Sequence, residues 1–181
     1  MKANFEPTLR FILNEEKGYV VDNAGATQMG LTIGLMKKLN LDLDHDGDVD
    51  RADVKLVNAD VVKKVFREIF WDPIGGDDIS SGLDLICADF AYNSGPQRAK
   101  TLLVYQDLAV YTLRRQMFYW TLRVNNPAKY KPYFDGWIGR TLRAWQSGLN
   151  IQTIKPGLLK DCPVAKDGGC LAANQKMERG E

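Results

Sequence analysis

Apolar residues at helical spacing, interrupted by glycine and proline, are the sequence feature that most restricts the fold of this chain. Apolar side chains recur every three or four residues over 61–70, and residues 83–92 are apolar along most of their length. Asparagine, glycine and proline at 93–96 end the second of these runs, as they commonly do at helix ends. Because no long repeat and no strand-rich region accompanies this pattern, the sequence predicts a mainly α fold.

The predicted helices follow one another along most of the chain. The first begins near Pro7 and ends near Gly18, and residues 19–30 then form a loop or a short irregular hairpin. Further helices are expected at 33–39, 52–57, 60–71, 83–92, 96–105, 111–124 and 137–145. Glycine and proline predict irregular structure from Ser147 onward. Since 181 residues suit one compact unit, we expect a single domain over 1–181.

Charge is divided unevenly between the two halves of the chain. Residues 1–96 carry ten Lys and Arg against seventeen Asp and Glu, whereas residues 97–181 carry fourteen against six. The basic residues of the second half are scattered among apolar ones, which favours a solvated helix surface over a site for an anionic polymer. We therefore expect no nucleic-acid partner.

A short loop with six aspartates accounts for much of the acidic excess. They occupy loop positions 1, 3, 5, 7, 9 and 12, with Gly47 at position 6. Ca²⁺ takes six to eight hard oxygen ligands, and the glycine permits the sharp turn that gathers them. Position 7 normally ligates through its carbonyl and position 9 through water, so those two side chains contribute less directly. The predicted ligands are Asp42, Asp44, Asp46, Asp48, Asp50 and Asp53.

The pattern resembles the calcium loop of dockerin repeats, which also end in aspartate. It predicts a helix–loop–helix at residues 35–57 that binds Ca²⁺ in a structural or regulatory role, not a catalytic one. The alternative is a charged surface loop, but crowded carboxylates without a cation repel one another.

Glu16 lies at the end of the first predicted helix, beside a glycine-rich polar loop. Glycosidic cleavage needs a protonated carboxylic acid near the leaving oxygen, and a residue in this position can reach the rim of a cleft. A second polar group, Asp22 or Thr32, would stabilise the cation or hold a water molecule. Taken alone, the pattern also fits a surface glutamate.

Several motifs resemble those of glycoside hydrolase family 108, whose members are N-acetylmuramidases found mainly as phage endolysins. Glu16-x-Gly18-Tyr19 is similar to the family's Glu-Gly-Gly-Tyr signature, with Lys17 in place of the first glycine. Residues 25–32 are similar to its Gly-Gly-Ala-Thr-Asn-x-Gly-Ile-Thr segment. The segments 70–72, 89–99 and 134–140 resemble further family motifs in the same order, so the resemblance extends over residues 5–145.

The resemblance implies a lysozyme-like helical domain, into which the calcium-binding helix–loop–helix is inserted, and a catalytic glutamate at Glu16. Thr32-Ile33-Gly34 is also similar to the segment that carries the active-site threonine of T-even phage lysozymes. Trp71, Tyr92, Trp120 and Trp137 are candidates to stack on sugar rings, since aromatic faces suit the apolar faces of pyranoses. Asn93 either binds a substrate group or caps a helix. The residues predicted to bind substrate are Tyr19, Thr27, Trp71, Asn93 and Trp137.

These observations predict a monomeric enzyme that hydrolyses the β-1,4 bond between N-acetylmuramic acid and N-acetylglucosamine in bacterial peptidoglycan. Glu16 would protonate the leaving oxygen, and Thr32 or Asp22 would assist the attacking water. One alternative is a lytic transglycosylase, which needs a single acid and forms an anhydro product. Another is a non-catalytic, calcium-dependent binding module, although true dockerin modules carry two repeats and this sequence carries one.

Features that bear on location are few. No stretch is apolar for long enough to cross a bilayer, so stable membrane insertion is not expected, and the first residues lack the apolar core of a secretory signal. We expect synthesis in the cytoplasm of a host cell and action on the cell wall in the periplasm. Cys87 is expected to be a buried free thiol, and Cys162 and Cys170 could pair in an oxidising compartment.

Overall fold

Helices form most of the described chain, which in the computed structural model comprises residues 1–16, 18–22 and 25–153. After a 3₁₀ turn at Lys2–Asn4, the first elements are α1 (Phe5–Glu15), β1 (Val20–Asp22), β2 (Gly25–Gln28), β3 (Leu31–Thr32), α2 (Ile33–Leu39) and α3 (Arg51–Leu56). They are followed by α4 (Ala59–Val65), a π-helical stretch (Phe66–Trp71), α5 (Asp72–Ile74), α6 (Leu83–Ser94), α7 (Pro96–Thr101), a 3₁₀ turn (Leu102–Val104), α8 (Leu108–Asn125) and α9 (Pro127–Thr153). The predicted mainly α fold is confirmed.

Helix α1 places Glu16 at its carboxyl end. Phe5, Leu9 and Ile12 are buried and recur at the spacing of one helix face, which explains why this segment folds as a helix against the core. The backbone N–H of Glu16 still bonds the Ile12 carbonyl, but Glu16 itself is extended, with φ −87° and ψ 138°. The chain therefore turns at Glu16.

The expected hairpin is a small three-stranded antiparallel sheet in the order β1-β2-β3. Val21 pairs with Ala26, and Thr27 pairs with Thr32. The turn between β2 and β3 uses Met29 and Gly30, both at positive φ. This turn brings Gly30 against the end of the central helix, as described below.

The segment that contains the acidic loop packs on this sheet. Helix α2 has the bounds predicted from the sequence, and α3 is shifted by one residue from its prediction. Met36 of α2 and Val54 of α3 are fully buried, so both helices belong to the same apolar core as the rest of the described chain.

The core is built around α6, in which all nine residues from 83 to 91 are buried. Helices α1, α8 and α9 pack on it, together with the π-helical stretch. Two of the buried residues, Asp84 and Asp89, are acidic, and a buried carboxylate needs a charged or hydrogen-bonding partner. Asp84 binds the N-terminal ammonium group at 2.6 Å, whereas Asp89 faces two arginines.

The last helix is longer than the sequence predicts. The expected helix at 137–145 is the middle of α9, which begins at Pro127 and continues through Pro132. Packing against α8 and α6 overrides the local preference of proline and glycine for irregular structure. The prediction of irregular structure from Ser147 was therefore wrong up to Thr153. Cys162 and Cys170 lie outside the described residues, and no helix within the described ranges is long and apolar enough to cross a membrane.

Candidate active site

A cleft of about 420 Å³ opens where the end of α1, the sheet, the end of α6 and the middle of α9 meet. Its walls are formed by Glu15, Glu16, Gly18, Val20, Thr27, Gly30, Asn93, Tyr133, Gly136, Trp137, Arg140 and Arg143. Four of the residues predicted from the sequence, Glu16, Thr27, Asn93 and Trp137, therefore lie in one cleft.

Glu16 is held in this cleft by Arg140. The Arg140 Nη1 group donates to Glu16 Oε1 at 2.7 Å, and the exposed fractions of the two side chains are 17% for Glu16 and 11% for Arg140. The carboxylate is thus accessible from the cleft, and Arg140 is its cationic partner among the described residues. A positioned, partly enclosed carboxyl group is what proton transfer to a glycosidic oxygen requires.

Arg140 in turn contacts the fully buried Asp89. Its Nε donates to Asp89 Oδ1 at 2.9 Å, and its Nη2 lies 2.8 Å from the same oxygen. The other oxygen of Asp89 lies 2.7 Å from Nη1 of Arg115, which is also fully buried. Burial by itself would lower the pKa of Arg140, but the charges of Asp89 and Glu16 more than offset it and raise that pKa.

Tyr92 and Gly30 pack closely behind Glu16. The Tyr92 hydroxyl donates to the Met29 carbonyl at 2.8 Å. A Cβ on Gly30 would lie 2.5 Å from Tyr92 Cε1 and 3.0 Å from Glu16 Cδ. Burial, and secondarily the charge of Glu16, raises the pKa of Tyr92, so its hydroxyl remains a donor. Glycine at 30 is thus required both by the positive φ and by the space.

A second acid, Glu15, lines the cleft beside Glu16, but it is engaged by Arg143. Arg143 donates from Nε and Nη2 to the two oxygens of Glu15, at 2.7 and 2.6 Å. Among the described residues that line the cleft, Glu15 and Glu16 are the only acidic ones.

The structure places Thr32 and Asp22 outside the lining of this cleft. The Thr32 hydroxyl accepts a hydrogen bond from the Leu35 N–H at 3.2 Å and caps α2. Asp22 is exposed at the end of β1. Thr27, which pairs with Thr32 across the sheet, does line the cleft. The catalytic roles of Thr32 and Asp22 stay predictions, and Thr27 is the threonine that the fold presents to the cleft.

Aromatic side chains form one wall of the cleft. Trp137 stacks on Tyr119 with ring centroids 4.9 Å apart, and on Tyr133 at 5.8 Å. Tyr133 is 58% exposed and also lines the cleft, although none of the sequence motifs includes it. Its position one helical turn before Trp137 could have indicated that the two side chains share one face of a helix. Tyr19 is 39% exposed but does not line the cleft.

The predicted contact of Trp71 with sugar is wrong. Trp71 is fully buried, packs edge-on against Phe5 at 5.4 Å, and donates from Nε1 to Asp77 at 2.8 Å. A sugar ring cannot reach it, because its apolar surface is already covered by the core. Tyr92 is mostly covered as well. Trp120 is 53% exposed and packs edge-on against Phe134, but it does not line the cleft.

The acidic loop lies on a different part of the surface and presents two groups of carboxylates. The oxygens of the first group lie within 4.8 Å of one another, close enough to share one Ca²⁺ at usual ligand distances. The same holds for the second group. The first group is Asp42, Asp44 and Asp46, and the second is Asp48, Asp50 and Asp53.

Within the loop, backbone N–H groups occupy several carboxylate oxygens. Asp42 accepts from the N–H groups of His45 at 2.6 Å and Gly47 at 3.0 Å. Asp53 is buried, and hydrogen bonds, first from the Asp50 N–H and then from that of Leu43, lower its pKa. The oxygen chemistry fits Ca²⁺, and in the described conformation Asp53 also takes part in the capping box of α3, where it accepts from the N–H of the cap residue Asp50.

Comparisons with known proteins agree with this architecture. The glycosyl hydrolase 108 family matches residues 9–95, slightly less than half of the chain. A solved structure, that of Brucella abortus SagA, has a TM-score of 0.70 at 23% sequence identity, covering 83% of this chain and 97% of that chain. No curated protein matches. The structural likeness confirms the lysozyme-like fold, and the family match supports a glycoside hydrolase. The family match includes Glu16 and Asp89 and ends before Arg115 and Arg140.

Proposed function

We propose that the protein is a peptidoglycan hydrolase that cleaves the β-1,4 bond between N-acetylmuramic acid and N-acetylglucosamine. The observation that carries the proposal is the position of Glu16, which faces the cleft while Arg140 binds its carboxylate at 2.7 Å. The family match over residues 9–95 supports the substrate class, since it covers the helix end and the sheet that form half of the cleft.

In this mechanism, Glu16 donates a proton to the leaving glycosidic oxygen. Thr27, from the strand that lines the cleft, orients the attacking water, with Thr32 and Asp22 as the other candidates. The stacked pair of Tyr133 and Trp137 offers an aromatic face to a pyranose ring. Asn93 and Tyr19 are the remaining candidates for contacts with sugar hydroxyl or N-acetyl groups.

Replacing Glu16 tests the proposal directly. Glu16→Gln retains the size and hydrogen-bonding capacity of the side chain but cannot donate the catalytic proton, so lytic activity should fall by about 10²–10⁴-fold. The assay is clearing of purified peptidoglycan in a gel, with mass analysis of the soluble products. Glu15→Gln is the neighbouring comparison and should have a much smaller effect. A Glu16→Gln enzyme as fast as the parent would show that the acid is misassigned.

A lytic transglycosylase is the second candidate, and the acid content of the cleft favours keeping it. The only other acidic residue among the described cleft residues, Glu15, is bound by Arg143. Inverting and retaining hydrolases usually use a second carboxylate, whereas a single acid suffices for formation of an anhydro product. Products lighter by one water molecule would identify the transglycosylase, and hydrated products the muramidase.

We also propose that the acidic loop binds Ca²⁺ in a structural or regulatory role, through Asp42, Asp44 and Asp46 with support from the second carboxylate group. Binding to the folded form alone should stabilise it by about 2.7 kcal/mol at a hundredfold excess over the Kd. For a chain of this size, that corresponds to a rise in Tm of roughly 5–10 °C. Its measurement with calcium and with chelator, for the parent and for Asp42→Ala/Asp46→Ala, checks this.

The outcomes of the calcium experiment separate its possible roles. A parent Tm that does not change under chelation would remove the metal from the proposal. A Tm shift without a change in lytic rate would leave calcium as a purely structural ion. Calcium-dependent binding to a protein partner with no lytic activity would instead favour the non-catalytic binding module.

The biological setting that we propose is that of a phage endolysin. The resemblance to family 108 supports synthesis in the cytoplasm of a host cell and action on the cell wall in the periplasm. We expect the protein to be a monomer, which light scattering of the purified chain would check. Lysis by added enzyme only after the outer membrane is made permeable would agree with a substrate in the wall.

A further inference from the structure

Asp89 is a fully buried acid that connects the proposed catalytic carboxylate to the core. It lies on α6, and its side chain is 0% exposed. Its Oδ1 lies 2.9 Å from Nε and 2.8 Å from Nη2 of Arg140. Its Oδ2 lies 2.7 Å from Nη1 of Arg115. The four side chains form a row of alternating charge in the order Glu16, Arg140, Asp89 and Arg115.

Arg115 depends on Asp89 for its charge compensation. Its guanidinium is fully buried over the rings of Phe90, at 5.2 Å, and Tyr119, at 5.7 Å. None of its three nitrogens makes a well-directed hydrogen bond within the described structure, so the ion pair with Asp89 and the ring faces are its compensation. Removal of one partner from such a pair leaves an unpaired buried charge, which is strongly destabilising.

Arg140 is oriented by Asp89 in a way that a lone arginine beside Glu16 would not be. The guanidinium group is planar, so fixing its Nε and Nη2 edge also fixes the direction of Nη1. Nη1 is the nitrogen that bonds Glu16. Asp89 also offsets the positive charge of Arg140, so the cation beside Glu16 is paired with a second carboxylate.

We propose that Asp89 is a positioning residue of the active site, which acts through Arg140 to orient the Glu16 carboxyl group and to balance the charge beside it. This inference rests on the proposed function, in which Glu16 is the acid. Arg115 completes the row by neutralising Asp89 from the core side. Of the two acidic residues within the apolar stretch 83–92, Asp84 binds the N-terminal ammonium group, whereas Asp89 would serve catalysis as well as folding.

A merely structural role for Asp89, as the counter-ion of Arg115, is the competing explanation, and paired substitutions separate the two. Asp89→Asn leaves Arg115 unpaired and is expected to lower Tm as well as kcat. Asp89→Asn/Arg115→Met removes one charge of each sign at similar volume, so its Tm should recover. Under our proposal its kcat does not recover, because Arg140 has still lost its anchor.

The experiment measures kcat, KM and Tm of the full chain on soluble glycan fragments of peptidoglycan. We expect kcat of the double variant to fall by about 10²-fold, as for small displacements of catalytic groups, with KM within a few-fold of the parent. In an Arg140→Gln background, the same double substitution should cause little additional loss, because Asp89 acts through Arg140. Asp77→Asn is the matched control, since Asp77 also binds an arginine, Arg67, but away from the cleft; its kcat should match the parent.

A double variant with parental kcat, or an additive loss in the Arg140→Gln background, would overturn the positioning role while leaving the proposed function intact. A parent enzyme without lytic activity, or an active Glu16→Gln variant, would overturn the proposed function and this inference with it.

Discussion

Gly30→Ala is the substitution for which the structure gives the sharpest expectation. Gly30 has φ +83°, and an added Cβ would lie 2.5 Å from Tyr92 Cε1, 2.9 Å from the Tyr92 hydroxyl and 3.0 Å from Glu16 Cδ. Tyr92 cannot easily retreat, because its ring packs on Phe70 at 4.8 Å and on Phe66 at 6.1 Å. The methyl group therefore has to displace Tyr92, Glu16 or the turn itself.

Two costs add in this variant. The left-handed backbone costs a residue with a Cβ roughly 1–2 kcal/mol, and overpacking of a close contact costs about 1–3 kcal/mol more. Gly75→Ala pays only the first cost, since Gly75 has φ +73° but nothing within 4 Å of an added Cβ. Gly30→Ala should thus have a Tm roughly 2–12 °C below that of Gly75→Ala.

The activity of the two variants should differ more than their stability. A displacement of a catalytic group by about 1 Å costs on the order of 10²-fold in rate. Lysis of purified peptidoglycan, measured well below both melting temperatures, should therefore fall strongly in Gly30→Ala and remain parental in Gly75→Ala. If Gly30→Ala matched Gly75→Ala in both Tm and rate, the packing of Gly30 on Tyr92 and Glu16 would be refuted.

Three further predictions concern residues away from the cleft. Burial raises the pKa of Cys87 to about 12, so only about one thiol in 10⁴ is ionised at pH 8. Iodoacetamide should therefore label Cys87 only after the protein is unfolded, which mass spectrometry would detect. Rapid labelling of the native protein would contradict this. Asn58→Ala removes an N-cap that accepts two N–H groups at 3.0 and 3.1 Å, and should cost about 0.5–2 kcal/mol in chemical denaturation. Trp71→Phe loses the 2.8 Å bond to Asp77 and should lower Tm without changing KM, whereas a raised KM at unchanged Tm would return Trp71 to the substrate site.

Local sequence rules were sufficient for most of the helices. Helix α2 was predicted to the residue, and α6 was predicted to within two residues of its end. These segments carry their apolar periodicity and their end signals within a few positions, and both are local properties of the chain. The full length of α9 was not predicted, because this helix depends on contact with α8 and α6. That contact outweighs the local effect of the proline and glycine within the helix.

Side-chain burial was the first point at which the one-dimensional pattern was insufficient. The motif at 70–72 marked Trp71 as notable, but only packing against Phe5 shows that it belongs to the core and not to a sugar site. Thr27 and Thr32 are five residues apart in one segment of the sequence, yet β2 brings Thr27 to the cleft while the Thr32 hydroxyl caps α2. Spacing along the chain does not reveal which face of an element meets the cleft.

The position of Glu16 could be predicted from the sequence, whereas the charged residues around it could not. The sequence alone determined that a glutamate ends the first helix beside a glycine-rich turn, because both depend on neighbouring residues. Only the tertiary structure decided that Arg140, 124 positions away, binds Glu16, and that Asp89 lies 51 positions before Arg140 and anchors it. The physical reason is that a buried ion pair is set by distances of about 3 Å in space. Such distances exist only after the core has brought α1, α6 and α9 together.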